Sequence, residues 1–364
     1  MRADKVTHKQ RKQDRKSPDT SARANRHARI ASPKDATGKT ARRRKNAAIA
    51  ASAALALILI LLACAPDKYA PACLEGLQLW LNFVVPTLFP FFVFTAMLTK
   101  LGFAAKASSR LSPFMRTAFR MPGIASYCFV MSALSGYPVG SRLLADLADQ
   151  GLIEKRNAVF TAALCSTSGP MFLIGSVGAS MFGSRTAGLV LLASHFCAVV
   201  LVSFLIARVC KKEKAGAPLP PLKKADGILA ESVFGAVLSI LTVGGFIALF
   251  FVLTKMLTDL KLLAPLALLF GKILSPLAEN LGTGFATGLL EATHGCAALS
   301  AEGTAALPAA AFLVTFGGAC ILAQQLGYLK RAGVKPAPFI AIKFFQAIVA
   351  FFVCLGLCTA AGLL

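Results

Sequence analysis

The ten cysteines of this chain form no CxxC pair and no Cys/His ligand spacing, so neither a zinc site nor a dithiol redox centre is expected. HExxH is absent, SGYPVGS is not a Gly-x-Ser-x-Gly nucleophile elbow, and the glycine-rich stretches lack the lysine and strand context of a phosphate loop. These gaps argue against zincins, α/β-hydrolases and P-loop NTPases. No paired base marks Ser135 or Ser166 as the nucleophile of an intramembrane hydrolase. We therefore expect no enzyme, no cofactor and no metal. Acidic residues are scarce as well, 16 against 39 Lys and Arg, for a net charge of +23.

What the chain has in abundance is apolar sequence. Hydrophobic residues make up 56% of it, above the usual share for soluble domains, and several runs approach the roughly 20 residues that cross a bilayer. Residues 1–45 stand apart, with 16 Lys and Arg, four Asp and a net charge of +12. Such a segment buries too little apolar surface to fold, and we expect it to be a disordered cytoplasmic tail that contacts anionic lipid. Interleaved aromatics are missing from it, so specific nucleic-acid binding is not expected. Arg42, Arg43, Arg44 and Lys45 lead directly into the first apolar helix, about 46–65, as the positive-inside rule requires. LLAC (Leu61–Cys64) has the look of a lipoprotein cleavage box, but the tail is too long for an ordinary signal, and a retained helix is expected.

The same rule orders the remaining spans. The stretch Leu77–Leu98 returns to Lys100, Lys106, Arg110, Arg116 and Arg120, a loop without an acid. Thr186–Ala207 likewise ends at a basic linker, 211–225, so the helix of about 158–182 before it runs outward. Both ends of Met121–Asn157 then lie on the cytoplasmic side, although its first half is apolar. SGYPVGS (Ser135–Ser141) is thus expected at the tip of a re-entrant hairpin. Gly136 and Gly140 permit unusual backbone and close approach there, and Pro138 removes an N–H and frees a carbonyl.

A second half repeats this plan in the opposite orientation. Leu111–Pro138 has a counterpart in Leu274–Gly295, and Leu164–Gly175 corresponds to Leu313–Gln325. We expect an all-α polytopic protein of about seven spans, built as inverted-topology repeats (76–210 and 226–364) with two re-entrant hairpins after one extra N-terminal helix. Broken elements in matching positions of two inverted halves point to a transporter with its site between them.

FPFFVFTAMLTKLGF, SGYPVGS, STSGPMFLIGSVG and LLEATHGC resemble the YlbJ-like family of sporulation integral membrane proteins, over about residues 76–364. The resemblance implies a "nucleoside recognition", or Gate, domain and a role in building the spore of an endospore-forming bacterium, in the cell membrane or the forespore or mother-cell membrane; the basic residues before the first helix put the N-terminus inside. The resemblance also implies kinship with nucleoside transporters and the membrane gates of iron-uptake proteins. His294 occupies a variable position within the Glu-x-Thr-x-Gly motif, so no role is carried over to it.

Several residues are candidates for binding a solute. Glu291 is an ionisable group in an intramembrane stretch, where charge costs several kcal/mol and marks a functional site by default. It either serves a ligand, cation or proton, or is a structural carboxylate held by backbone donors at the hairpin tip or bathed by a vestibule. Thr293, His294 and Gly295 adjoin it. Ser135, Gly136, Tyr137, Pro138 and Gly140 form the first hairpin tip, with Tyr137 either stacking on a base or anchoring the hairpin. Ser166, Thr167, Ser168, Gly169 and Pro170 interrupt a helix, as a satisfied kink or a binding element. Gln324 and Gln325 offer amides to a polar solute or to the interface. His195 is expected to hydrogen-bond between helices, Cys354 and Cys358 to pack, and Asp146, Asp149, Glu154, Lys155 and Arg156 to form a solvated face. The expected function is movement of a small polar or anionic solute, nucleoside-like molecules included, with a proton or sodium as a conceivable coupling ion. The competing expectation is a non-transporting scaffold that recruits sporulation membrane proteins for spore cortex or envelope assembly.

Overall fold

The computed structural model describes residues 33–154, 158–209 and 227–363. The expected tail falls partly outside this set, at 1–32, as do Lys155, Arg156 and the expected linker at 211–225. All regular structure among the described residues is helical, and six helices are long and apolar enough to cross a membrane. The chain is an all-α polytopic membrane protein.

The described residues up to Cys64 belong to one unit. Within it α1 runs Pro33–Cys64, and its apolar part is Lys45–Cys64. The helix thus starts well before the expected boundary at 46. Ala, Lys and Arg dominate 41–50 and are strong helix formers, so a charged segment prolongs the apolar helix beyond what the hydrophobic pattern marks.

The second unit, from Ala65 onward, carries the rest. Its first half opens with α2 (Pro66–Leu79), a π-helical stretch (Trp80–Val84) and α3 (Val85–Lys100), together one span. The amphipathic α4 (Phe103–Ala118) follows, then the short pair α5 (Ala125–Ser135) and α6 (Val139–Asp149). Next come α7 (Ala158–Leu164), an interruption, a second π-helix (Phe172–Met181) and the long α8 (Arg185–Val209).

The later half runs through the same order. The long α9 (Ile228–Asp259) precedes the short α10 (Ala264–Leu274) and the pair α11 (Leu281–Gly288) and α12 (Ala292–Ser300). After a 3-10 turn (Gly303–Ala306) come α13 (Leu307–Phe316) and α14 (Gly318–Leu329), broken at Gly317, and finally α15 (Pro336–Ala360).

One expected span is absent as an unbroken helix. The stretch 158–182 divides at Ser166–Pro170, because Gly169 and Pro170 cannot sustain the α-ladder and the π-helix that follows does not restore it. Among the described residues six long apolar helices remain, where about seven spans were expected.

Packing ties the halves together. Trp80 donates its indole N–H to the Ile240 carbonyl of α9 at 3.1 Å and lies against Gly244, where a Cβ would collide with its ring. The main apolar core joins the second π-helix, α8, α11, α13 and α15 through Leu173, Leu191, Phe285, Leu313 and Cys354. Cys354 and Cys358 are buried and unoxidised there, in keeping with the packing role expected of them. Asp146 and Asp149 are not simply solvated: Arg331 bonds both, at 3.0 Å each, and the two carboxylates hold its guanidinium above its ordinary pKa.

Gly295 allows α12 to lie directly on α11, since a Cβ there would overlap the Gly288 backbone. Gly295→Ala is expected to cost about 1–3 kcal/mol by overpacking. Gly235→Ala, in open space on α9, should leave stability unchanged or slightly higher. Thermal melts of the full chain in detergent test the pair, and equal melting temperatures would refute this account of the hairpin.

Candidate solute-binding site

The first hairpin turns at Gly136 (φ +72°, ψ −164°), a conformation that a side chain would strain. Its backbone meets the interruption after α7, because a Cβ on Gly136 would stand 2.6 Å from the Gly169 nitrogen. Backbone therefore touches backbone between hairpin tip and broken helix. The donors of the break find side chains. Thr167 N–H donates to Ser132 Oγ at 3.2 Å, and Ser168 N–H donates to His195 Nε2 at 2.9 Å.

That last bond determines the imidazole. With Nε2 accepting, the proton sits on Nδ1, which lies 2.9 Å from Thr315 Oγ1 on α13. His195 is thus a neutral bridge between α8, the first break and α13, as an interhelical hydrogen-bonding role requires.

The second hairpin turns at Leu289–Glu291. Glu291 is the N-cap of α12: Thr293 N–H donates to Oε1 at 3.0 Å and His294 N–H to Oε2 at 2.6 Å. Each oxygen keeps one acceptor position, so the carboxylate caps the helix and still faces the cavity described below. The preceding carbonyls are closed by the neighbouring break, Ala319 N–H bonding Leu289 O and Cys320 N–H bonding Leu290 O, both at 2.8 Å. Gly318 (φ +63°) makes this approach possible, for a Cβ there would stand 2.8 Å from the Gly288 carbonyl oxygen.

Polar side chains then cross between the halves. Tyr137 Oη is 3.3 Å from the carbonyls of Val314 and Thr315. Gln325 Oε1 accepts from Ser141 at 3.1 Å and also from Ser166. Lys343 of α15, fully buried, donates to Tyr137 Oη at 3.1 Å and to the Ser166 carbonyl at 2.9 Å. Gln346, one turn further along, donates to the Ala163 carbonyl at 3.2 Å.

Two cavities meet at this junction. The inner one, about 60 Å³, is bounded by Ser135, Gly136, Tyr137, Ser168, Gly169, Glu291, Thr293, Cys320 and Gln324, with an apolar wall of Val84, Leu88, Phe92, Phe172, Val243 and Ile247. The outer one, about 580 Å³, lies between α3, α5, α6 and α9 and carries Thr95, Thr99, Lys100, Arg142, Ser239, Thr242 and Tyr328. Phe92, Ser135, Tyr137 and Val243 border both. The first hairpin tip therefore partitions them.

Sequence-derived candidates separate accordingly. Ser135, Gly136, Tyr137, Ser168, Gly169, Glu291, Thr293 and Gln324 converge on the inner cavity, and Pro138 lines the vestibule. Gly140 and Gly295 are close-packing positions, Ser166, Thr167 and Gln325 are internal crosslinks, and Pro170 lines neither cavity. His294 stacks on Phe251, ring centroids 4.1 Å apart, away from both cavities. Lys343, Gln346, Arg142 and the vestibule were not anticipated. For Lys343 the signal was present: a lone cation in an apolar helix obeys the rule that singled out Glu291.

The chain is 28% identical, over an alignment of 311 residues, to the sporulation integral membrane protein YlbJ of Bacillus subtilis (strain 168), covering 78% of this chain and 76% of the relative. Over most of its length the chain is similar to this sporulation protein. No family model matches it, and no solved structure does so.

Glu291→Gln offers one amide oxygen where the carboxylate supplies two, so one N–H of the α12 first turn loses its acceptor. The variant is expected to insert and fold with stability lowered by about 1 kcal/mol, the usual weight of an N-cap. An unchanged melt in detergent would refute the cap.

Proposed function

We propose that this chain is a sporulation-associated membrane transporter or gate for a small polar or anionic solute, working by inverted repeats whose re-entrant hairpins meet at the inner cavity. The observation that carries the reading is the convergence of two hairpin tips and two helix breaks on one cavity. Helices interrupted at membrane depth are tolerated where they are buried in protein or line a polar cavity, and interrupted helices in two halves are the usual frame of a solute site. The YlbJ relative supports the sporulation setting through its name.

The cavity sizes assign roles. At roughly 10–15 Å³ per water, the inner cavity holds about five waters, enough for an ion or one polar group but not for a nucleoside. The vestibule falls within the range of about 300–1,000 Å³ typical of ligand sites. Lys100 and Arg142 on its lining, with Lys330 and Arg331 nearby in sequence to Tyr328, support a cytoplasmic opening for the vestibule under the positive-inside rule. Lys100 is paired with Glu231, whereas Arg142 is exposed and has no ion-pair partner among the described residues. An entering anion meets that free guanidinium first. Movement of the first hairpin tip then joins vestibule to inner cavity, where Glu291, Thr293 and Gln324 offer acceptors and donors.

Thermal stabilisation of the purified full chain across nucleosides, nucleobases, aromatic dicarboxylic acids, divalent metals and lipid head groups tests the proposal. One class is expected to raise the melting temperature, by about 2.7 kcal/mol of stabilisation at a hundredfold excess over Kd. The gain should shrink in Glu291→Gln and, for an anion, in Arg142→Ala. A flat panel from a well-folded sample would sink the transport reading.

A further inference from the structure

Lys343 is a fully buried cation without a carboxylate partner among the described residues. Its ammonium makes three kinds of contact. It donates to the Ser166 carbonyl of the first helix break at 2.9 Å, donates to Tyr137 Oη on the hairpin tip at 3.1 Å, and lies 5.3 Å from the centroid of the Tyr137 ring. An unwound carbonyl beside a broken helix is where coupled transporters hold sodium. Here a side chain of the protein covers it.

We propose that Lys343 is the resident cation of this site, binding and releasing a proton in place of sodium, and that its charge latches the first hairpin tip to the broken helix. The inference rests on the transport reading for its purpose, not for its mechanics. In the charged state the ammonium joins tip and break through charge-assisted hydrogen bonds and a cation–π contact. On release the proton passes to water admitted past Tyr137, which separates the ammonium from the vestibule it lines, and the nitrogen keeps its electron pair. The neutral amine retains N–H donors but loses the cation–π attraction and the charge assistance. Tyr137, the partition between the two cavities, is then freer to move.

The surroundings leave Lys343 in control of this switch. Titratable groups facing it are Tyr137 on the tip and His195 on α8, and His195 is committed as a neutral bridge by the Ser168 N–H. The other elements packed on α15 at this level, α7 and α13, contain no titratable side chain. Arg185 and Arg208 lie at the two ends of α8, and Cys197 faces outward.

Hydrogen–deuterium exchange of the full chain in lipid nanodiscs reads the latch without any solute. The probe is protection of residues 131–142 and 164–172, corrected for intrinsic exchange, from about pH 6 to about pH 10, the span over which protein lysines change charge. In the wild type these segments should exchange about tenfold faster at the alkaline end. Lys343→Arg should stay protected throughout, and Lys343→Met should be unprotected throughout. Replacing sodium with N-methylglucamine should change nothing. A flat wild-type profile, a wild-type-like profile in Lys343→Arg or Lys343→Met, or protection that requires sodium would each overturn the proposal. Should Lys343→Met fail to fold, the wild type and Lys343→Arg still decide it. A flat solute panel with a pH-dependent latch refutes transport alone; the converse refutes the latch alone.

Discussion

Lipid offers no hydrogen bonds, and every other feature of the site follows from that constraint. Each interrupted helix exposes N–H and C=O groups whose isolation in hydrocarbon costs several kcal/mol apiece. The breaks answer one another. Leu289 and Leu290 give their carbonyls to the N–H groups of Ala319 and Cys320, Ser168 gives its N–H to His195, and Ser166 gives its carbonyl to Lys343. Four interruptions therefore gather at one place because each is the remedy for another. A cavity lined by polar groups is what this gathering leaves over.

The ionisable residues fit the same logic. Glu291 and Lys343 are both buried, and neither pairs with an opposite side-chain charge among the described residues. Backbone dipoles serve instead: two N–H groups of the α12 first turn face the carboxylate, while a carbonyl and a π-face meet the ammonium. A direct ion pair would tie the second hairpin to α15 and, through Tyr137, to the first. Keeping the charges apart leaves the hairpins independently movable.

Much of this was legible in the sequence where local chemistry decides. Hydrophobic length located the spans, and Gly and Pro marked the first hairpin tip and the first break. Glu291 stood out because a carboxylate among apolar residues has few structural excuses. The rest depended on distance along the chain. Ser166, a candidate either for a satisfied kink or for binding, bonds Gln325 from the other half, and His294, beside the key carboxylate, turns away to stack on Phe251. Lys343 lies far in sequence from every group it touches, so only the fold reveals Tyr137 and Ser166 as its partners. The break in 158–182 was legible at Ser166–Pro170 as a kink or a binding element, yet its full effect needed the π-helix that follows, which composition does not announce. The extension of α1 to Pro33 shows the opposite error, where charge obscured good helix propensity.

The two hairpin tips are held with unequal strength, and this inequality locates the motion. The second tip is fixed by two backbone hydrogen bonds at 2.8 Å from α14 and by the doubly bonded Glu291 cap. No backbone hydrogen bond joins the first tip to its break among the described residues; Gly136 meets Gly169 by contact, Tyr137 reaches Val314 and Thr315 at 3.3 Å, and the remaining tie from Tyr137 to the break runs through the Lys343 side chain. Each buried backbone bond is worth on the order of 1 kcal/mol net and more to break without replacement. The first tip therefore opens at lower cost. It is also the tip that separates the 580 Å³ vestibule from the inner cavity, so the weaker hairpin is the one whose displacement connects them.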